Sequence, residues 1–285
     1  MGMEPIILRN SSAEAVIRPD IGRVMSFRRT DGENVLWTAE DPFAYGTPMP
    51  IYGGLRVMIS PEVLWNQIRQ PRRSDPATDG GPWTVTDQSE RYVRMQAFSK
   101  DLGVTVRWSI RLDEECPELS FDYEIERVED NPFPVHLWTI AQVPLTDEVF
   151  MSCQPHVSEP YRNCIWAPTL SEHVTYFREE SYLQFAGSRQ VEPLKIGTFG
   201  RWLAGVRGSE LFVIQVPPVE LKAYMEGSNL QAFCFPKKFP FYEMEHTGPR
   251  YALRAGESFH VQETWSLGQG APDELLDLLK VRMRK

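Results

Sequence analysis

Cysteine, histidine, basic charge and long apolar runs are all scarce in this chain, and each shortage removes a class of function. The four cysteines, Cys116, Cys153, Cys164 and Cys234, are scattered with no CxxC spacing. They read as reduced thiols, neither a disulfide framework nor a zinc site. Five histidines are present, and His136, His156 and His173 stand too far apart to make a metal motif, so no metal is expected. Acidic residues outnumber basic ones, 39 to 30, for a formal net charge of −9. Nucleic-acid binding rests on a basic surface, so nucleic acid is not an expected partner. No apolar run approaches the roughly 20 residues needed to cross a bilayer, so no membrane partner is expected either. The start "MGMEPIILRN" has no charged segment leading into an apolar one, which makes the cytoplasm the expected location. GxGxxG, Walker, HExxH and GxSxG motifs are missing too, and no cofactor is expected.

What is present is a 285-residue chain with 42% hydrophobic residues, enough for a sizeable core. Period-two alternation dominates it. In "VTVRWSIRL", Val104, Val106, Trp108, Ile110 and Leu112 share one face, and Thr105, Arg107, Ser109 and Arg111 the other. That spacing predicts a half-buried strand. "LSFDYEIE" repeats the pattern after the loop "DEECPE", and the two predict an antiparallel pair with arginines opposite carboxylates. "YVRMQAF" alternates as well. "ELFVIQV" is continuously apolar, as expected of a strand covered on both faces. Near the start, short strands are broken at Pro19-Asp20 and at Asp31-Gly32. Helix is confined to the C-terminal "APDELLDLLKVRMRK", where Pro272, the early acids and the late bases suit a helix and its dipole. There is no internal repeat and no linker-like shift. The expected fold class is all-β: one domain over residues 1–285, a large antiparallel β-sandwich with a short terminal helix.

Between the early and middle strands lies "YGGLRVMISPEVLWNQIRQPRRSDPATDGGPW", Tyr52 to Trp83, with four prolines and two tryptophans. Long irregular segments in compact domains are commonly binding loops or lids. This one is expected to wall a pocket, with Arg56, Trp65, and Arg69 or Arg72 pointing in.

The order of these pieces resembles the galactose-mutarotase-like proteins. The matching text is "IRPDIGRVMSFRRTDGENVLW", then "YGGLRVMISPE", "HLWTIAQV", "KIGTFGRWLAGV" and "FYEMEHTGPRYALRAGESFHVQETWSLG", over roughly Ile6 to Leu267. In particular it resembles a group of bacterial proteins of that superfamily without assigned activity. The resemblance implies a large twisted sandwich with a sugar-binding concave face and a small-molecule carbohydrate partner. It also implies aldose 1-epimerase chemistry, in which a glutamate takes the anomeric hydroxyl proton while a histidine protonates the ring oxygen.

The glutamate maps onto "FYEMEHTGPRYALRAGE". Phe241, Glu243 and Glu245 share one strand face, and Tyr242, Met244 and His246 the other. Glu245 or Glu243 is therefore the candidate base, against the plain alternative of a solvated strand face. The acid does not map. In "PVHLWTIAQV", His136 lies about four residues before the family's histidine position, which Ile140 occupies. The second family histidine is missing, and Arg56 is the nearest polar residue there. A donor, if there is one, would be His136, His156, a tyrosine or a lysine.

Sugars stack on aromatic rings and engage carboxylates, amides and basic forks. Trp65, Trp83, Trp138 and Trp166 stand in or beside irregular segments, whereas Trp108, Trp202 and Trp265 fit strand cores. Gln142 follows Trp138 at a strand end, and Lys195 opens "KIG". Lys237 and Lys238, in "FPKKFP", could face the same cleft. The substrate-binding candidates are thus Arg56, Trp65, Trp138, Gln142, Lys195 and Lys237, and their basic members point to an anionic sugar as one option. Glu263 falls on an apolar strand face, where an arginine partner is expected. Three readings stay open: a sugar-active enzyme, a sugar-binding module without turnover, and a structural sandwich. A two-carboxylate glycosidase also stays open, because sequence gives no carboxylate separation. Oligomeric state is not legible.

Overall fold

A computed structural model describes residues 3–47, 49–59, 65, 74–145, 148–153, 161–163, 174–177, 179, 181–186, 192–218, 224, 227–271 and 274. The described residues form nineteen strands. The first eight are β1 (Ile6–Arg9), β2 (Ala13–Arg18), β3 (Arg23–Arg29), β4 (Leu55–Ile59), β5 (Thr84–Ser89), β6 (Tyr92–Ser99), β7 (Val104–Leu112) and β8 (Glu118–Arg127). Then come β9 (Leu137–Pro144), β10 (Glu148–Ser152), β11 (Tyr161–Asn163), β12 (Val174–Phe177), β13 (Tyr182–Phe185) and β14 (Leu194–Thr198). The last are β15 (Trp202–Arg207), β16 (Glu210–Gln215), β17 (Leu230–Cys234), β18 (Phe241–Thr247) and β19 (Ser258–Gln269). A nine-stranded sheet runs β1-β2-β3-β4-β9-β18-β17-β14-β11, and a ten-stranded sheet runs β12-β13-β10-β15-β16-β19-β8-β7-β6-β5.

The alternating segments become the strands their spacing predicts. In β7, Val104, Val106, Trp108, Ile110 and Leu112 are buried. The strand pairs with β8 in the register Val104↔Arg127 through Leu112↔Leu119. On the outer face Arg107 stands opposite Glu124 and bonds it at 3.0 Å, with Glu126 at 2.7 Å and Arg94–Glu124 at 2.8 Å alongside. Cross-strand ion pairs of this kind add roughly 0.2–1 kcal/mol each. β16 is covered on both sides: Phe212 and Ile214 enter the main core, while Leu211 and Val213 join Phe150, Tyr182 and Trp202 in a second cluster.

The two sheets close on one apolar core shared by Leu8, Val57, Leu137 and Met244 from the first and Val93, Val106, Trp108 and Trp265 from the second. Its aromatic centre crosses the gap, with Phe27 6.5 Å from Trp265, and Phe121 and Phe212 each 4.9 Å from Trp265. The architecture is the expected antiparallel β-sandwich. The C-terminal helix expectation falls almost wholly outside the described residues, as do Cys164, Trp166, His156, His173, Arg69 and Arg72.

The Tyr52–Trp83 segment differs from the sequence expectation. Strand β4 runs inside it, because Leu55, Val57 and Ile59 alternate into the core. Trp65 is fully buried in that core, and its indole N–H donates to the Ile59 carbonyl at 2.8 Å. Trp83 is buried too, edge-on to Trp108 at 5.7 Å, with its N–H donating to the Thr78 carbonyl. Neither indole is free for a sugar, because large apolar rings whose single polar atom finds a carbonyl gain more from burial. Glu263 is also corrected. It points between the sheets, and its partners are His246 Nδ1 at 2.8 Å, the Thr139 hydroxyl and Trp265 Nε1 at 3.3 Å, with no arginine among them. The nine-stranded sheet presents β18 to it, and the inward residue there is a histidine.

Two glycines set where β4 begins. Gly53 and Gly54 have φ of 85° and 72°, and a Cβ on Gly54 would stand 2.3 Å from the Val24 carbonyl oxygen. Gly54→Ala should therefore lower the urea midpoint well beyond the roughly 1 kcal/mol typical of positive-φ strain. Gly208→Ala, at φ 57° with no neighbour within 4 Å, supplies the strain-only comparison. Equal losses in the two variants would show that the β3–β4 approach is slack.

Candidate functional site

Strand alternation sends Tyr242, Met244 and His246 of β18 into the core and Phe241, Glu243, Glu245 and Thr247 to the opposite face. Register then fixes the neighbours on that face. Glu245 lies opposite Ile140 of β9 on one side and Gln231 of β17 on the other. Beyond Ile140 comes Arg56 of β4, and beyond Arg56 comes Arg23 of β3. One step along, Gln142, Glu243, Phe233 and Lys195 form the next row. One step the other way, Met58, Trp138 and Thr247 form the third.

This face is turned away from the shared core, yet its centre is buried. Met58, Trp138 and Ile140 make a small apolar cluster of their own. Glu245 is fully buried at the middle. Its Oε2 accepts two bonds, from the Lys195 ammonium at 2.7 Å and from the Trp138 indole N–H at 2.8 Å. Lys195 reaches diagonally across β17 to do this, and its Nζ also lies 4.6 Å from the centre of the Trp138 ring. The other oxygen, Oε1, is buried and accepts no bond from the described residues. Burial pushes the Glu245 carboxyl up; Lys195 pulls the other way, and nearby Glu243 adds to the rise.

Beside this cluster, the Gln142 amide donates to Glu243 Oε1 at 2.9 Å, and Arg56 stands 3.9 Å from the same oxygen. Arg56 is held mainly by Asp79, with contacts of 2.5 and 3.2 Å. Arg23 donates to Asp79 at 2.6 Å from the other side. Burial alone would raise the Asp79 carboxyl, but Arg56 and Arg23 outweigh it and hold it well below the usual carboxylate range. The described end of the Tyr52–Trp83 segment is therefore a strap: Trp83 anchors it in the core, and Asp79 clamps the two arginines.

The candidates separate cleanly. Arg56, Gln142, Glu243, Glu245, Lys195 and Trp138 converge on one face. Trp138 has its N–H committed to Glu245 and its ring beside Lys195, so it orients the carboxylate. Lys237 is exposed and pairs with Glu192 at 2.9 Å, away from the cluster. His136 is buried just before β9, on the Trp138 side, and its Nε2 has no partner among the described residues. It lies four residues from Ile140, or ~13 Å along the strand, from the Glu245 row. Burial, helped by Arg250, lowers its pKa to about 4, so the imidazole is neutral at ordinary pH. Sequence reasoning missed Asp79, Arg23 and Gln231. Asp79 sits in a Gly/Pro-rich stretch where an aspartate reads as a turn former. Among the described residues no cluster of three or more metal-ligating side chains occurs, and no helix is long and apolar enough to cross a membrane.

A concavity of about 500 Å³ lies on the outer face of the ten-stranded sheet, lined by Tyr92, Arg94, Arg111, Asp122, Glu124 and His260 among others. In it Arg94 pairs with Glu124, the His260 ring lies 2.9 Å from Asp122, and Arg111 lies over the Tyr92 ring. The unmatched, buried oxygen of Glu245 sets the first face apart.

No protein-family model matches the chain, and no curated protein does. Solved structures do. A galactose mutarotase-like protein from Lactobacillus casei ATCC 334 superposes with a TM-score of 0.65 at 13% identity, over 93% of this chain and 100% of its own. A galactose mutarotase related enzyme from Lactobacillus acidophilus gives 0.65 at 9% identity, over 94% and 99%. A galactose mutarotase-like protein from Clostridium acetobutylicum gives 0.62 at 12%, over 93% and 95%. At such identities the likeness is one of fold.

His136 supplies a pH test. Its folded pKa lies below the ordinary 6.5, so the neutral ring stabilises the fold above about pH 6.5. That contribution, on the order of 3 kcal/mol, is lost as the pH falls toward 4. Urea unfolding followed from pH 7 to 4 should fall less steeply for His136→Gln than for the wild type, and parallel curves would contradict a neutral buried ring.

Proposed function

We propose that this chain, which has the galactose-mutarotase-like fold, binds a neutral carbohydrate on the outward face of its nine-stranded sheet and interconverts its anomers, with Glu245 as the base. One observation carries this reading: Glu245 Oε1 is buried and the described residues offer it no donor. A buried acceptor without a protein donor costs roughly 1–3 kcal/mol, and native structures seldom keep one without a reason. A sugar hydroxyl is a donor of the right kind. Burial also raises the Glu245 carboxyl toward working pH, as proton abstraction requires.

The surroundings suit a polyol. Gln142, Glu243 and Arg56 offer further donors and acceptors beside Glu245. A neutral ligand fits the charge balance, because the cations Arg23, Arg56 and Lys195 are met by the carboxylates Asp79, Glu243 and Glu245. The reading therefore takes a neutral ligand in preference to an anionic one, since each of those three cations already faces a carboxylate.

A second reading, a sugar-binding module without turnover, is favoured by one feature. The residue directly across from Glu245 is Ile140, an apolar side chain that cannot give a proton.

The test is anomer exchange, followed by saturation-transfer NMR on glucose, galactose, xylose, arabinose and mannose. The wild type should accelerate exchange of at least one sugar, and Glu245→Gln should lower that rate by about 100-fold or more. Binding without acceleration would support the module reading. No binding at all would remove both.

A further inference from the structure

We infer that Lys195 is the proton donor of this site, so that acid and base form one hydrogen-bonded pair on the same side of the sugar ring. The inference rests on the reading above, with Glu245 as base. It starts from geometry. Lys195 Nζ is 2.7 Å from Glu245 Oε2, and both side chains are buried, with exposures of 8% and 0%. An ammonium has three N–H donors in a rotatable head. One holds Oε2, which leaves two for a ligand oxygen. In a cyclic sugar the anomeric hydroxyl oxygen and the ring oxygen are bonded to one carbon. A carboxylate oxygen and an ammonium lying side by side can therefore address both at once.

Other donors are committed or badly placed. The Trp138 N–H already serves Oε2. Arg56 is fixed by Asp79, and a guanidinium does not give up its proton in proteins. His136 is too far along the strand. Among the described residues, Lys195 is the one ammonium in hydrogen-bond contact with Glu245.

The step balances. The proton of the anomeric hydroxyl passes to Glu245 Oε1. The bond between the anomeric carbon and the ring oxygen breaks, its electron pair stays on the ring oxygen, and that oxygen takes a proton from Lys195 Nζ. A carbon–oxygen double bond forms at the anomeric carbon. The open aldehyde, a neutral carboxylic acid and a neutral amine result. Net charge is unchanged, and a buried ion pair has become a buried neutral pair, which low dielectric favours. After the aldehyde rotates, the ring oxygen attacks from the other face, returns its proton to Lys195, and Glu245 protonates the new hydroxyl. The pair is reset without a further donor.

A buried Lys–Glu pair is also an ordinary structural device, so the test must separate the two roles. Lys195→Arg keeps a cation against Glu245 but cannot transfer its proton. On the sugar that the wild type exchanges fastest, kcat should fall by about 100-fold or more, with sugar binding by saturation-difference NMR within about threefold of wild type. Lys195→Met serves the same comparison if the larger fork does not fit, its folding checked by thermal melting. Exchange within about threefold of wild type in either folded variant overturns the inference and leaves the Glu245 reading standing. Full exchange in Glu245→Gln, or none by the wild type on any sugar, overturns that reading and this inference with it.

Discussion

A carboxylate sealed from water must be met by donors, and the arrangement around Glu245 follows from that requirement. Its Oε2 takes one charged and one neutral donor, which come from opposite sides of β18. Lys195 on β14 and Trp138 on β9 converge on it and also touch each other, ammonium over indole ring. Because the ammonium crosses β17 to arrive, the register of four strands has to hold for both contacts to exist. The carboxylate is thus a consequence of the sheet and a constraint on it. Oε1 is left without a donor among the described residues, and on the proposed reading a ligand hydroxyl completes it there.

β18 solves a similar problem on its inner face. His246, next to Glu245 in sequence, points into the core and meets Glu263 from the opposite sheet at 2.8 Å. That pair, with Thr139 and Trp265, is one of the few polar contacts in an otherwise apolar gap between the sheets. A strand held by a buried bond on one side has little freedom to shift the carboxylate on the other. Asp79 plays a comparable part at the edge of the site, where two arginines on adjacent strands share one acid. Rigidity of this kind is what proton transfer over hydrogen-bond distances demands.

Much of this was legible in the sequence, for local reasons. Alternation in "VTVRWSIRL" and "LSFDYEIE" specified both the strands and the outward ion pairs, since period two fixes faces without knowledge of the partner. The same rule put Glu243 and Glu245 on one face and His246 on the other. What failed was anything set by distant register. Trp65 and Trp83 looked like pocket residues because they stand in a Pro/Gly-rich stretch, but an indole N–H needs only one carbonyl to be buried, and each found one. Glu263 signalled a buried partner correctly, while the partner's identity depended on which inward residue β18 presents. The Lys195–Glu245 contact spans fifty residues and two strand pairings, and no spacing rule reaches that far.

The central claim is that Glu245 Oε1 is an acceptor kept for a ligand hydroxyl. A crystal structure of the wild-type protein grown with a saturating concentration of the sugar it exchanges fastest tests this directly. The account predicts a sugar oxygen within hydrogen-bond distance of Oε1, with Lys195 still on Oε2. A structure in which the sugar occupies the outer groove of the ten-stranded sheet, while ordered water alone bridges Oε1 to the protein, would contradict it.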